Sequence, residues 1–335
     1  MSISLKELAK EAGVSEATVS LAMNNRPGVN AATRQRIHEL AKAMGYIPSV
    51  TAQTLAKQKS GLIGMIVPNI TNNNYSALVQ LTEERLLNCG YKMILATSKS
   101  DPEYERDMIQ RFVSFRTEGV IIYPSIKDNP DPSYLNILHQ YHIPFIFLGG
   151  RYRNIEASCV MPDYYQSSYN AAKYLYQRGG RHFFLMSGCR SIVSNSLRRQ
   201  GISDLLAEHG VPFEDSRHIA LTHTNYDAAY ECFNTLLDAG TVIDSVFAVN
   251  TYAGLAVYNA AIEHGLRVPE DLSIISGDMS MPPKACCIAL TSIVQNNVEM
   301  VEHALSELFS KIKGKTETVQ ECIASTFISG DSTKP

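Results

Sequence analysis

The sequence predicts an α/β protein: an N-terminal helical headpiece followed by a two-lobed core with parallel sheets. Three observations lead there. The first 60 or so residues carry helix signals and a charge opposite to that of the rest of the chain. From Leu62 onward, apolar runs of strand length alternate with segments of helical period, the pattern of parallel strands covered by helices. This alternation continues for over roughly 200 residues, long for one sheet and suited to two. At 335 residues, 45% hydrophobic and 19% charged, the composition excludes disordered and collagen-like classes.

The net charge of −3 hides an asymmetry. Residues 1–60 hold eight basic against four acidic side chains, a balance of +4, and the remainder carries −7. A basic head on an acidic body directs phosphate to the head alone. The most apolar run, Leu62–Val67, is far short of the roughly 18 residues that cross a bilayer. Lys6, Glu7, Lys10, Glu11 and Glu16 interrupt any secretory leader. A soluble, cytoplasmic protein with no membrane partner is expected. The seven Cys form no Cys-x-x-Cys pair and read as small hydrophobes in a reducing compartment.

In the head, Ser4 and Glu7 have capping-box spacing. Leu5, Leu8, Ala9 and Ala12 then share one helix face, and Gly13 breaks the pattern. Ser15 is a good N-cap for a second helix, Glu16 to Met23. Thr18, Val19, Ala22 and Met23 share its inner arc; Glu16, Ala17, Ser20, Leu21 and Asn24 share the outer one. A third helix starts near Asn30 and ends at Gly45, with Ile37, Leu40, Ala41 and Met44 at core spacing. Two short helices joined by a glycine turn form a helix-turn-helix, whose second helix would enter a major groove of double-stranded DNA.

The run from Leu5 to Asn24, with Ala12-Gly-Val-Ser15, Thr18-Val-Ser20 and Asn24, resembles the headpiece of the lactose-repressor (LacI/GalR) family, as does Gly45-Tyr-Ile-Pro48. The resemblance implies an operator-DNA surface of Ser15, Glu16, Ala17, Ser20, Leu21 and Asn24, with Glu16, Ala17 and Leu21 reading base edges. Many members have Arg where this chain has Leu21. Arg can pair bidentately with guanine, whereas Leu can only pack. Residues 48–60 are expected to be a hinge. Ala52, Leu55 and Ala56 would form a narrow apolar edge if helical, and two turns are too short to be stable alone. By the resemblance, this segment folds on DNA and Leu55 wedges into the minor groove.

In the body, strands are expected at Leu62–Val67, Lys92–Ala96, Gly119–Tyr123, Pro144–Leu148, His182–Ser187, Ser245–Val249 and Leu272–Ser276. Helices are expected around Tyr75–Cys89, Glu103–Phe115, Gln166–Gln177 and Ser196–His209. The runs Pro68–Tyr75, Asp101-Pro-Glu103, Glu118–Ile122 and Gly265–Ile275 resemble the periplasmic-binding-protein-like core of the same family. That implies three crossings between lobes: lobe one near 61–161 and 291–324, lobe two near 162–290 and 325–335. The ligand would lie in the cleft between them. The resemblance places Arg198 as a ligand clamp, Asp278 as a hydroxyl acceptor, Asn250 and Gln295 as further cleft groups, and Asn73 and Tyr75 in the opening loop. Gly149-Gly150 stands where an Asp-Arg pair is common, and Thr251 where an Asp is usual, so a ligand other than a simple neutral hexose is expected.

Other chemistry lacks its motifs. No dinucleotide or nucleotide phosphate loop and no Gly-x-Ser-x-Gly elbow occurs. His139 and His142 have no third ligand nearby, so neither a metal nor a cofactor is expected. An enzyme is not expected. The alternative, a solute-binding protein without DNA function, would need a leader and no head. The expected partners are operator DNA, a small polar effector, most simply a carbohydrate, and a second copy of the chain. The chain shows no heptad tail, which favours a homodimer over a tetramer.

Overall fold

The computed structural model describes residues 3–46, 59–125, 131–190, 192–278 and 287–335. The chain divides into two compact units, Met1–Gly61 and Leu62–Pro335. Most of the expected hinge, Leu55 included, lies outside the described residues.

The headpiece contains α1 (Leu5–Ala12), α2 (Glu16–Met23) and α3 (Ala31–Met44). Each start is capped as its sequence implies. The Ser4 hydroxyl accepts from the Glu7 amide at 3.2 Å, and the Glu7 carboxylate accepts from the Ser4 amide at 2.8 Å. Donation from the Ser4 amide and hydroxyl to the exposed Glu7 carboxylate holds it below its ordinary pKa. Ser15 accepts from the Thr18 amide at 3.1 Å, and Asn30 from the Thr33 amide at 2.8 Å. Gly13 ends α1 at φ 65°, a left-handed conformation that other residues adopt only at a cost. Leu8, Val19, Ala22 and Ile37 are fully buried, with Ala9, Ala12 and Ala41 around them. This small core is braced by two arginines. Arg36 donates to the Ala12 carbonyl at 2.6 Å, and Arg34 to the Arg26 carbonyl at 2.7 Å.

The second unit continues with β1 (Leu62–Val67), α4 (Asn73–Asn88), β2 (Lys92–Thr97), α5 (Pro102–Ser114), β3 (Gly119–Ile122), α6 (Asn136–Gln140), β4 (Phe145–Leu148) and β5 (Ser158–Pro162). Then come α7 (Tyr164–Gln177), β6 (Phe183–Ser187), α8 (Val193–Glu208), β7 (His218–Ala220), α9 (Tyr226–Asp238), β8 (Ser245–Ala248), α10 (Thr251–Glu263) and β9 (Ser273–Ser276). The chain closes with β10 (Thr291–Val294), α11 (Asn297–Ile312), β11 (Gln320–Ile323) and β12 (Thr326–Ile328).

The first sheet has the order β11-β5-β4-β3-β1-β2 and is parallel throughout. The second, β12-β10-β9-β8-β6-β7, is parallel except where β12 joins β10. Alternate residues of β1 enter different cores: Ile63, Met65 and Val67 pack with α4 and α11, and Ile66 packs with Phe112 of α5. In β6, Phe184 and Met186 meet α9 and α10, whereas Phe183 and Leu185 meet α7 and α8. Burial on both faces is why these strands read as unbroken apolar runs.

The chain passes between sheets after β5, after β10 and between β11 and β12. Residues 291–294, expected in lobe one, are instead β10 of the second sheet, paired with β9 through Thr291 and Ser292. The crossing therefore falls at Gln295 and Asn296. Only with α11 does the chain join the first lobe, through Met300, Val301, Ala304, Leu305 and Leu308.

Candidate functional site

The headpiece offers the outer arc of α2. Val19 and Ala22 are spent on the core, leaving Glu16 and Ala17 exposed and Ser20 and Leu21 half-buried. Ser15 is exposed, its hydroxyl engaged with the Thr18 amide and hydroxyl. Leu21 lies near the following turn: a Cβ on Gly28 would sit 3.5 Å from its Cδ1. Asn24 departs from the expected outward arc. Its amide donates back to the Ser20 carbonyl at 2.8 Å, and its Oδ1 is buried without a hydrogen-bond partner. It closes the helix end, because a short amide at the last turn reaches its own backbone more easily than a groove.

In the second unit a cleft of about 190 Å3 opens between the lobes. Most of the segments lining it follow the carboxyl end of a strand, where ligands bind in parallel α/β sheets. Lobe one contributes Asn72, Asn74 and Tyr75 after β1, Tyr123 after β3, and Gly149 to Asn154 after β4. Lobe two contributes Asn195, Arg198, Asn250 and Asp278, with Tyr164 and Gln295 at two of the crossings.

An aromatic cluster supports the lobe-one wall. Tyr75 and Tyr123 meet edge-on, with centroids 4.7 Å apart at 64°. The Tyr164 hydroxyl donates to the Gly149 carbonyl at 2.7 Å. Burial pushes all three phenols above their ordinary pKa, so they remain neutral donors. Gly149 has φ 77°, and a Cβ there would stand 2.1 Å from the Tyr123 ring. Both backbone and space therefore demand glycine. The cation of the expected Asp-Arg pair is not lost, because Arg151 follows and lines the cleft.

Arg198 is 6% exposed. Its guanidinium lies 4.1 Å from the Tyr164 ring centroid, and Nη1 donates to Asn195 Oδ1 at 2.9 Å. Stacking and one anchoring bond leave the rest of the fork for a ligand. Asp278 is nearly as buried, and its Oδ1 accepts from the Thr251 amide at 2.8 Å and hydroxyl at 2.7 Å. It thus joins the start of α10 to the cleft. Thr251 is turned onto Asp278 and does not line the cleft. Asn250 lines it, yet its Oδ1 caps α10 at the Ala253 amide and its Nδ2 donates to the Thr224 carbonyl at 2.8 Å. Gln295 Oε1 accepts from Asn74 at 3.3 Å, tying the β10 crossing to the opening loop.

Asn73 is exposed and outside the lining, while Asn72 and Asn74 are in it. A helix turns by about 100° per residue, so a one-residue error selects the wrong face. Sequence reasoning also missed Arg151, Arg153, Asn195 and Tyr164. It missed Glu105 of α5 as well, a fully buried carboxyl behind the lobe-one wall. Glu105 accepts from the Tyr134 hydroxyl at 2.8 Å, the Tyr152 hydroxyl at 3.0 Å and the Ser125 amide at 3.0 Å. Burial pushes its pKa up to about 7 despite those bonds.

A helix-turn-helix reader on one chain with a two-lobed binding core defines a ligand-responsive DNA-binding regulator. Comparison with known proteins agrees. Residues 4–49 match the family described as bacterial regulatory proteins, lacI family, and residues 60–321 match periplasmic binding proteins and sugar binding domain of LacI family. The chain belongs to the LacI family of transcriptional regulators. It is 28% identical to catabolite control protein A of Priestia megaterium over 324 residues, 96% of each chain. It is 27% identical to the HTH-type transcriptional regulator DegA of Bacillus subtilis over 323 residues, 96% of this chain and 95% of the other. These relatives are regulators, not enzymes. Among solved structures, the lac repressor dimer bound to operator and the anti-inducer ONPF superposes with TM-score 0.86 at 21% identity, over 99% of both chains. A CelR–cellobiose complex gives 0.73 at 24%, over 98% of this chain and 99% of that one. Among the described residues, no helix is long and apolar enough to cross a membrane.

Proposed function

We propose that the chain is a cytoplasmic homodimeric repressor that reads a pseudo-palindromic operator through α2 and is switched by a small polar effector held between the core lobes. The observation that carries this reading is the cleft. A nearly buried arginine and a nearly buried aspartate, Arg198 and Asp278, come to it from separate elements of lobe two, facing the tyrosines of lobe one. A fork and a carboxylate over aromatic rings suit a polyhydroxyl ligand, a sugar or sugar derivative. Three crossings join the lobes, so closure on a ligand would shift one lobe against the other. In the dimer that shift would alter the spacing of residues 48–60 of the two copies, and with it the minor-groove wedge assigned to Leu55. Ligand and operator affinities are then coupled reciprocally, typically by about 1–3 kcal/mol.

At the DNA surface Glu16, Ala17, Ser20 and Leu21 face the bases, with Ser15 at the helix start. Leu55→Ala is expected to weaken specific binding more than non-specific binding, because only the specific complex holds the kinked groove. The decisive test uses Arg198→Ala. An operator selected from a random library is titrated with and without sugars in an anisotropy assay. The variant should bind operator as the parent does and lose the ligand response. A variant that still responds with unchanged ligand affinity would place the effector elsewhere.

A further inference from the structure

Among the described residues, the lining of the cleft is unbalanced in charge: three arginines, Arg151, Arg153 and Arg198, stand against one carboxylate, Asp278. That carboxylate already spends Oδ1 on two bonds from Thr251. Gly149 and Thr251 stand where the family commonly has an Asp, so neither position adds a carboxylate to the cleft. Glu105 does not restore the balance. Tyr134, Tyr152 and the Ser125 amide already bond its oxygens, and burial favours its neutral form. Asp163, whose charge reaches the Cys322 thiol alongside that of Arg151, caps α7 at the Gln166 amide and does not line the cleft.

The three arginines are not equivalent. Arg198 is anchored on Asn195 and stacked on Tyr164. Arg153 reaches from lobe one to the Ser196 hydroxyl of lobe two at 2.9 Å, a bond that already spans the two lobes. Arg151 has a buried Nε with no hydrogen-bond partner. A buried N–H of a cation left unpaired is unfavourable, and the partner its planar fork matches is a carboxylate or a phosphate.

Taken with the cleft reading above, on which it rests, the geometry points to an anionic effector: a sugar derivative carrying a carboxylate or phosphate. Its charged group is taken by Arg151, and its hydroxyls face Arg198 and Asp278. The ligand supplies the negative charge that Gly149 and Thr251 do not. Its binding weakens with salt more than that of a neutral sugar, because Arg151 contributes a charge–charge attraction.

The test is calorimetric titration of the full chain with matched probes: glucose, glucuronate and glucose 6-phosphate; galactose, galacturonate and galactose 6-phosphate; and inorganic phosphate alone. At least one acidic probe should bind tenfold or more tightly than its neutral parent. Whether the uronate or the phosphate member shows that advantage identifies the charged group. Arg151→Gln should remove it, bringing the acid to the level of the parent sugar, and Arg151→Lys should retain part of it. Melting of the ligand-free variants checks that both still fold. Neutral sugars binding as tightly as their acids would overturn the anionic assignment and leave the sugar cleft standing. So would an acid advantage that survives Arg151→Gln. Arg151-dependent binding of inorganic phosphate with no sugar bound would uphold the anion site and reject the carbohydrate reading. Failure of every probe would reject both.

Discussion

On α2 of the headpiece, the residues that hold the fold and most of those proposed to read DNA sit on opposite sides of one eight-residue helix. In the cleft, single side chains do both jobs. Val19 and Ala22 face in, and Glu16 and Ala17 face out without touching the headpiece core. Asn250, by contrast, caps α10 and lines the cleft at once, and Asp278 holds the start of α10 with one oxygen while facing the ligand space. The headpiece can therefore change its base preference at little cost in stability. The cleft cannot change ligand without disturbing the elements that form it.

The largest expected effect tests whether the two regions are independent. Ile37 is fully buried in a core of seven residues. Ile37→Ala should cost roughly 2–5 kcal/mol and unfold the headpiece at a lower temperature. Scanning calorimetry should show the headpiece transition move while that of the core stays. Equal movement of both would end the idea of separable units.

The second prediction sets one carboxyl of each region against the other. In the headpiece Glu7 is held below its ordinary pKa by Ser4, so what it adds to stability is lost as pH falls through that lowered value. In the core Glu105 is raised from 4.5 to about 7 by burial. Its contribution is present below pH 4.5 and is lost as pH rises towards 7. At about 1.4 kcal/mol per pKa unit, the whole effect is about 3 kcal/mol. Burial lowers His218 from 6.5 to about 4, aided by the charges of Arg190 and Arg199, and gives the opposite slope, stability being lost as pH falls through that range. Glu105→Gln should unmask the His218 slope, so that urea unfolding of the core between pH 4.5 and 6.5 rises more steeply with pH. An unchanged profile would mean that Glu105 does not titrate in this range.

Third, Leu21→Arg should shift base preference towards guanine by roughly 1–3 kcal/mol if the fork becomes bidentate. Selection on randomised half-sites reads this directly. Identical preferences would remove Leu21 from the reading face. Smallest, Ser15→Ala should lower headpiece stability by about 1 kcal/mol through the lost cap and leave ligand affinity in the core unchanged.

What could be read in the sequence follows from the same contrast. Caps at Ser4, Ser15 and Asn30, the Gly13 turn and the apolar strands are local signals, and each lies where its pattern implied. The family resemblance named Arg198, Asp278, Tyr75 and Gln295, and the structure brings them to one cleft. Hydrogen-bond commitments were not legible. Nothing near Asn24 or Asn250 in the sequence says that either amide is engaged with backbone. Glu105 sits in a run of charged residues and reads as solvent-facing. Its burial depends on Tyr134 and Tyr152, 29 and 47 residues away. The strand character of 291–294 was hidden for a similar reason, since the sheet a strand joins is decided by partners distant in sequence.

The order in which the last elements are assigned has a consequence for synthesis. β10 and β12 complete the second sheet, while α11 and β11 complete the first, and all four are the final elements of the chain. A ribosome delivering this protein exposes a finished DNA-reading headpiece first, then two open half-built lobes, and closes both almost together. Until then the nascent chain carries its address without its switch. A chain that stops anywhere before β10 leaves the first sheet without β11 and the second without β10 and β12.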